Sequence, residues 1–511
     1  MTRWYAAWNE LWIDLPWGRM LLGLLVGLLY CLGLAPWDYW IISLGSVWGF
    51  SRLLQKTTPQ HAFWLGWAYG IGLWASGVSW LWVSIHEFGD TSSWLAALMV
   101  LLVAVVMGFM TAVQGLIYVA ARINRSPVWG FAALWVLFEW LRSWVLTGFP
   151  WLYLGYGFID TPLAGYAPIG GVFLVSAMAC LGVLLLAAMK GRSAMLAAMI
   201  IVLGWGLQHH AYTHALGKPL TVSIIQGNIP QDTKWDESSQ DSIIATYKKL
   251  SRQEWGRDIV LWPEAAITKF YDEATDDLID LDSLASTHGS TLITGIPYVA
   301  PGGPPYYYYN AVIALGQGRG IYKKQRLVPF GEYVPFASVL RGLMPFFDLP
   351  MSGFSWGRLD QPPLQAGWIR VQPSICYEVA YPELLQYQAR SAELLVTISN
   401  DAWFGGSHGP WQHFEMVRMR SLETGRYFLS GTNNGISAIV NPQGKVVSEA
   451  PQFRQAVLRG QVSAMVGLTP WLVVGNTLVI GLSLSILGVV AGIGVLQGKR
   501  DRVVDEKIHD F

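Results

Sequence analysis

Two textures of hydrophobic patterning divide the 511 residues of this chain. Up to about residue 208, apolar side chains run in long unbroken blocks, at about 20 to 36, 37 to 54, 61 to 84, 94 to 121, 127 to 148, 164 to 188 and 193 to 208, and one more covers 468 to 496. A bilayer core takes about 20 apolar helical residues, so these blocks predict eight membrane spans. From Thr221 the blocks shorten. TVSIIQGNI, DIVLWPE, STLITGIPYV, YYNAVIALG, GWIRVQPSI, ELLVTISND and FLSGTNNGISAIV read as strands, with helical periodicity near 237 to 255, 272 to 288, 380 to 390 and 410 to 426. The pattern therefore predicts a polytopic α-helical membrane protein carrying an α/β domain with two central sheets or one long one. Its expected division is a membrane domain at 1–217 with seven spans, a folded insert at 218–466, and a last span with a tail at 467–511.

Composition agrees with a membrane protein that has a soluble part. Hydrophobic residues make up 53% of the chain and charged residues 13%, about half the charged share of an ordinary soluble domain. Lys plus Arg and Asp plus Glu both number 34, so no net field favours nucleic acid. The 27 tryptophans suit interfacial anchoring. Loop charge orients the spans. Arg52 and Lys56, Arg122 and Arg125, Lys190 and Arg192, and the final KRDRVVDEK all fall on one side, whereas the alternate loops carry Asp38, Glu87, Asp90 and Asp160 without Lys or Arg. Positive charge stays inside, so both termini are expected in the cytoplasm and the 218–466 insert outside the inner membrane. A cleaved signal peptide is the competing reading of the first block, but Ala35 makes a poor cleavage site and further spans follow at once.

Candidate chemistry gathers in the insert. Cys31 and Cys180 lie within apolar blocks, which leaves Cys376, in VQPSICYEVAYPE, without a disulfide partner in its domain and at a strand-to-turn bend. A lone cysteine is more often a small buried hydrophobe. Here Glu264 closes the strand-like DIVLWPE and Lys324 lies in IYKKQRLVPFGEYVP, each at the polar edge of an apolar run. A thiol attacks only as thiolate, so a carboxylate to take its proton and a cation to hold developing negative charge are the groups it needs.

The order Glu264, Lys324, Cys376, in LWPEAAI, YKKQRLVPFGEYVP and ICYEVAYPE, resembles the Glu-Lys-Cys triad of the nitrilase, or carbon-nitrogen hydrolase, superfamily. SNDAWFGGSHGPWQHFEMVRMRSLETGRY, then GTNNGISAIVNPQG, together with the flanking spans, extend the likeness along the whole chain to the bacterial membrane-bound branch that N-acylates lipoproteins. That resemblance implies a four-layer αββα sandwich in a multi-pass inner-membrane protein, with the catalytic domain on the periplasmic side. It also implies an acyltransferase working by a ping-pong route through a thioester on Cys376. The implied donor is a glycerophospholipid such as phosphatidylethanolamine. The implied acceptor is the α-amino group of an N-terminal S-diacylglyceryl-cysteine, acylated in the last step of lipoprotein maturation. No cofactor or metal is implied. The family pattern selects Lys324 over Lys323 and matches Glu332 to a glutamate that orients the lysine and base. It gives supporting roles to Tyr377 and Glu378, the latter either binding the acceptor amine or positioning the bend. Trp235 matches a tryptophan near the lipid entrance, and Asn400, Trp403 and Phe404, with Asp401, are expected to shape the pocket.

Other features have plainer readings. Glu139 and Arg142, three apart in LWVLFEWLRSW, form either an ion pair that fixes helix packing or a headgroup contact. His209, His210 and His214 lack accompanying carboxylates or thiols and predict no metal site. His408 and His413 admit a papain-like Cys-His reading, but no papain-type signature surrounds Cys376. The tyrosines at 306 to 309 read as an exposed loop touching lipid. The competing enzyme class is a membrane-tethered amidase or nitrilase, which shares the triad but needs one anchor. Transport is disfavoured by spans that hold few polar residues.

Overall fold

The computed structural model describes residues 16–302, 306–335 and 353–509. The chain divides into two units, one of residues up to Trp82, Ser92–His210 and those from Val474 on, the other of Val83–Thr91 and Ala211–Val473.

The first unit is helical. Among the described residues, four helices are long and apolar enough to cross a membrane: Ser93–Ala120, Pro162–Ala187, Gly191–Gln208 and Thr477–Gly494; Trp17–Gly33 and Trp129–Leu141 are apolar but shorter. The block expected over 61 to 84 is a helix at Pro59–Gly77, with a separate short helix at Leu81–His86. The Thr58 hydroxyl caps the longer one by accepting from His61 N, with Pro59 in the first turn. Without a hydrophobic drive between helices in lipid, close backbone approach holds such elements together. Gly70 supplies it, since a Cβ there would stand 2.7 Å from Gly108 Cα on Ser93–Ala120. The block at 127 to 148 stops being α-helical at Leu141, because the chain then turns through left-handed Leu146 (φ +54°) and Gly148 (φ +85°).

The second unit is an αββα sandwich. Its strands are β1 (His214–Gln226), β2 (Ile259–Leu261), β3 (Thr291–Val299), β4 (Tyr308–Gly316), β5 (Gly318–Arg319), β6 (Ile321–Lys323), β7 (Leu364–Ala366), β8 (Ile369–Ile375), β9 (Leu394–Ser399), β10 (Phe428–Thr432), β11 (Ala438–Val440), β12 (Val446–Glu449) and β13 (Ala456–Val466). One sheet runs β13-β1-β2-β3-β4-β6, the other β12-β11-β10-β9-β8-β7-β5. The strand period of two sorts the side chains. Ile224, Ile259, Leu261 and Ile293 face inward, where they meet Val371, Ile375, Val396, Ile398 and Leu429 of the second sheet. Their neighbours Ile225, Val260 and Leu292 face outward onto Ile243, Tyr247, Leu278 and Leu281 of the helices Gln240–Ser251 and Thr275–Thr287. Strands buried on both faces read as continuous apolar runs, which is what made them visible in the sequence. FLSGTNNGISAIV, expected as one strand, breaks into antiparallel β10 and β11, because the chain turns at Asn433. The strand β13 carries no sequence expectation, yet it is the partner of β1, pairing Gln226 with Ala456.

Candidate active site

β1, β2 and β3 are parallel, as are β8, β9 and β10, and the triad candidates sit just beyond the carboxyl ends of β2, β6 and β8, where open α/β sheets place their ligands. Glu264 follows β2 through Trp262-Pro263, with Ala265 behind it in the left-handed region (φ +46°). Gly295 on β3 makes room, since a Cβ there would lie 2.5 Å from Ala265 N. Glu264 Oε1 accepts from Asn310 Nδ2 at 2.7 Å and from Lys324 Nζ at 3.5 Å, and Oε2 accepts from the Asn400 backbone N–H at 2.9 Å. Lys324 Nζ donates more closely, at 2.8 Å, to Glu332 Oε1, while Glu332 Oε2 accepts from Val328 N and so closes the LVPFGE turn. The neighbouring Lys323 points to the opposite face, its Nζ 4.4 and 4.5 Å from the rings of Tyr298 and Tyr309. Strand alternation thus separates the two lysines the sequence left adjacent.

Cys376 begins the 3-10 turn Cys376–Ala380 at φ +50°, a left-handed conformation that costs an L-residue about 1–2 kcal/mol. Glu378 holds this bend. Its Oε2 accepts from Ile375 N at 2.8 Å, and its Oε1 from Gln325 N at 2.6 Å, Arg326 N at 3.2 Å and the Tyr322 hydroxyl at 3.1 Å. Both oxygens of this fully buried carboxylate are therefore committed, and they tie the bend at Cys376 to the segment that follows Lys324. Burial pushes the Glu378 carboxyl up to about 7 against the pull of the Gln325 and Ile375 amides.

Cys376 is a partly buried residue packed against the core between the sheets. Burial first, and then the negative charge of Glu264, push its pKa well above the ordinary thiol value, while Lys324 pulls the other way. At rest the sulfur therefore carries its proton and has a carboxylate beside it. Burial acts against the Lys324 ammonium, but Glu332 and then Glu264 outweigh it and keep that group firmly cationic. One cation between two carboxylates next to a protonated thiol can take a proton and can hold an oxyanion.

The remaining expected residues divide. Asn400 belongs to the site through its amide to Glu264, and its side chain links Gln231 Oε1 and Asn433. Tyr377 lies beside the bend, its ring edge-on to Tyr381 at 5.2 Å. Trp235 is half-buried in the turn after β1. Trp403 and Phe404 share the turn Asp401–Phe404, but Trp403 meets Phe88 at 5.7 Å and accepts from Ser84 Oγ at 2.7 Å through its carbonyl, whereas the Phe404 ring lies 6.4 Å from His413. His413 does approach Cys376, but at its carbonyl oxygen, 3.0 Å from the His413 Nε2.

Sequence reasoning missed Asn310 and Lys234. Asn310 bridges Glu264 and Glu332, and its signal was an amide inside the otherwise apolar run of β4. Lys234 is fully buried and donates to the Glu264 carbonyl oxygen at 2.9 Å. Burial lowers its pKa to about 8 although Glu264 pulls upward. It stands one residue from Trp235, where nothing in the local pattern marks it as an inward-facing cation.

A cysteine on a strand-to-turn bend, faced by Glu264 and Lys324 in an αββα sandwich, puts the second unit in the carbon-nitrogen hydrolase class, and residues 221–470 match the carbon-nitrogen hydrolase family model. Residues 26–188 match the model of the apolipoprotein N-acyltransferase N-terminal domain. The chain is 44% identical over 480 residues to an apolipoprotein N-acyltransferase of Azotobacter vinelandii, an alignment covering 90% of this chain and 92% of the relative. It is 43% identical to one of Pseudomonas syringae pv. tomato, over 90% of this chain and 94% of the relative. The chain belongs to the apolipoprotein N-acyltransferase family. Relatives that match across the membrane region as well as the sandwich do not favour a hydrolase on a single anchor.

Proposed function

We propose that this enzyme moves a fatty acyl chain from a glycerophospholipid, through a thioester on Cys376, to the α-amino group of an N-terminal S-diacylglyceryl-cysteine on lipoproteins. The observation that carries the reading is the Lys324 ammonium shared by Glu264 and Glu332 beside the bent Cys376. In the first half-reaction Glu264 takes the thiol proton as sulfur attacks the ester carbonyl of a phosphatidylethanolamine-like donor. The carbonyl pair moves to oxygen, where Lys324 and backbone N–H groups stabilise the oxyanion. When the intermediate collapses, the ester C–O bond breaks, the lysophospholipid alkoxide takes the proton from Glu264, and the thioester remains. In the second half-reaction the acceptor amine attacks the thioester and gives its proton to Glu264. The C–S bond breaks, and the departing sulfur recovers the proton. Covalent catalysis thus divides one hard transfer into two easier ones.

Glu332, Tyr377 and Glu378 support the triad, the first by holding Lys324 and the last by holding the bend, while Trp235, Asn400, Trp403 and Phe404 shape the acyl pocket. Residues 218–466 do the chemistry on the periplasmic face of the inner membrane. Residues 1–217 and 467–511 supply about eight membrane passes with both termini cytoplasmic, an orientation supported by the one-sided distribution of Lys and Arg. The test is kinetic. Varying donor at several acceptor concentrations gives parallel double-reciprocal lines, and without acceptor one equivalent of lysophospholipid is released per enzyme. Intersecting lines with no such burst overturn the two-step scheme.

A further inference from the structure

Behind the nucleophile lies a second constellation that the scheme above does not use. His413, buried near the start of the helix Gly409–Thr424, places Nε2 3.0 Å from the Cys376 carbonyl oxygen and Nδ1 3.4 Å from Asp401 Oδ1. Asp401 Oδ1 also accepts from the Ser399 hydroxyl. The atoms facing the two ring nitrogens are both acceptors. A neutral imidazole has a single N–H and would set a lone pair against one of them, whereas an imidazolium donates to both. Charged groups acting on the ring include Asp401 from the turn after β9 and Glu264 from the segment after β2, both negative. Burial opposes the charge, but Asp401 and then the Cys376 carbonyl outweigh it and hold His413 above its ordinary value.

The carbonyl that His413 meets belongs to the peptide leaving the left-handed Cys376, and the far end of that peptide is the Tyr377 N–H. Amide resonance couples the two ends, so a cation on the oxygen makes the N–H a stronger donor and restrains the peptide from leaving its strained conformation. We propose that His413, held as an imidazolium between Asp401 and the Cys376 carbonyl, is a positioning residue that locks the nucleophile's peptide and strengthens the Tyr377 N–H toward the oxyanion of the acylation step. This role rests on the reading of Cys376 as nucleophile. It differs from a papain-type histidine, because the proton stays on the ring and the base remains Glu264.

The test is single-turnover acylation of the full-length enzyme by phosphatidylethanolamine, read by intact mass over a range of lipid concentrations so that limiting rate and half-saturation separate. His413→Ala lowers the limiting rate roughly tenfold to hundredfold, somewhat less than loss of a direct oxyanion donor costs, and leaves half-saturation unchanged. His413→Gln, which keeps an N–H donor, recovers part of that loss. Asp401→Asn leaves the histidine in place but removes the charge that keeps it protonated, and it slows acylation too. A wild-type limiting rate in folded His413→Ala, or a change confined to half-saturation, overturns the proposal. Should His413→Ala not fold, a wild-type rate in Asp401→Asn overturns it equally. Cys376→Ala run alongside separates the two claims. Transfer that persists in it removes the nucleophile itself, whereas a normal thioester with unaffected His413 and Asp401 variants removes only the role of His413.

Discussion

Two buried clusters of charge, one in each unit, differ in how their charges balance. In the helical unit Arg142 Nη2 stands 3.7 Å from Glu139 Oε1, which also accepts from the Trp135 indole at 2.9 Å and from Leu154 N at 2.7 Å, while the guanidinium lies against the rings of Trp74 and Tyr153. Charges there balance, one against one. In the sandwich Lys324 faces both Glu264 and Glu332, and the neighbouring Cys376 thiol is held in its protonated form. The Lys324 ammonium thus has two carboxylates around it, one more than it balances alone, and on the proposed route one of them, Glu264, takes the proton from sulfur. A balanced buried pair holds a fold together; an unbalanced one has somewhere to put a proton.

Substitutions that alter the balance test this contrast. Glu264→Gln keeps the shape but removes the proton acceptor, and thioester formation falls by roughly 10²–10⁴-fold in single-turnover assays. Lys324→Met takes away the cation, slowing acylation by roughly 10²–10³-fold. Because it also leaves two buried carboxylates facing each other, it costs about 3–5 kcal/mol in denaturant melts. Glu139→Gln has the opposite signature: it destabilises by about 3 kcal/mol, yet the acylation rate per folded molecule stays at the wild-type value. Adding Arg142→Met to Glu139→Gln recovers stability, since the guanidinium is no longer left unpaired. A loss of turnover in Glu139→Gln at full folding would instead assign that pair to the lipid headgroup.

The smallest effect is a pH dependence. His413 in the folded chain sits above its unfolded value of 6.5, because Asp401 and the Cys376 carbonyl outweigh the burial that works against its charge. Its contribution to stability is therefore complete below about pH 6.5 and is lost as pH climbs through the raised folded value. The melting temperature of wild type minus that of His413→Gln is largest in mild acid and shrinks in mild alkali. A difference that grows with pH would contradict the sign.

Much of this was legible in the sequence, for a physical reason. Glu264, Lys324 and Cys376 end apolar strands, and a polar residue at such an edge stands out against its run. The inner strands are buried on both faces, so β2 (IVL) and the AVIAL run of β4 show as uninterrupted apolar stretches. What stayed hidden depends on distant partners. The outer half of β13 alternates Arg459 and Gln461 with apolar positions and is a strand because β1 lies beside it. Asn310 looked like an ordinary polar interruption until Glu264 and Glu332 converged on it from 46 residues before and 22 after. Lys234 is buried because the Glu264 carbonyl awaits it, a fact absent from QDTKWD. In the helical unit, blocks of similar hydrophobicity became helices of unequal length, since Gly148 and its neighbours turn the chain where composition alone would have continued the span.

The central claim is that the sulfur of Cys376 carries the acyl group. Intact-protein mass after mixing the enzyme with phosphatidylethanolamine of a single chain length tests it most directly. The expected result is one added acyl mass, released by hydroxylamine, discharged by an N-terminal diacylglyceryl-cysteine peptide and absent from Cys376→Ala. An unmodified wild-type mass, together with N-acyl transfer that continues in Cys376→Ala, would contradict it.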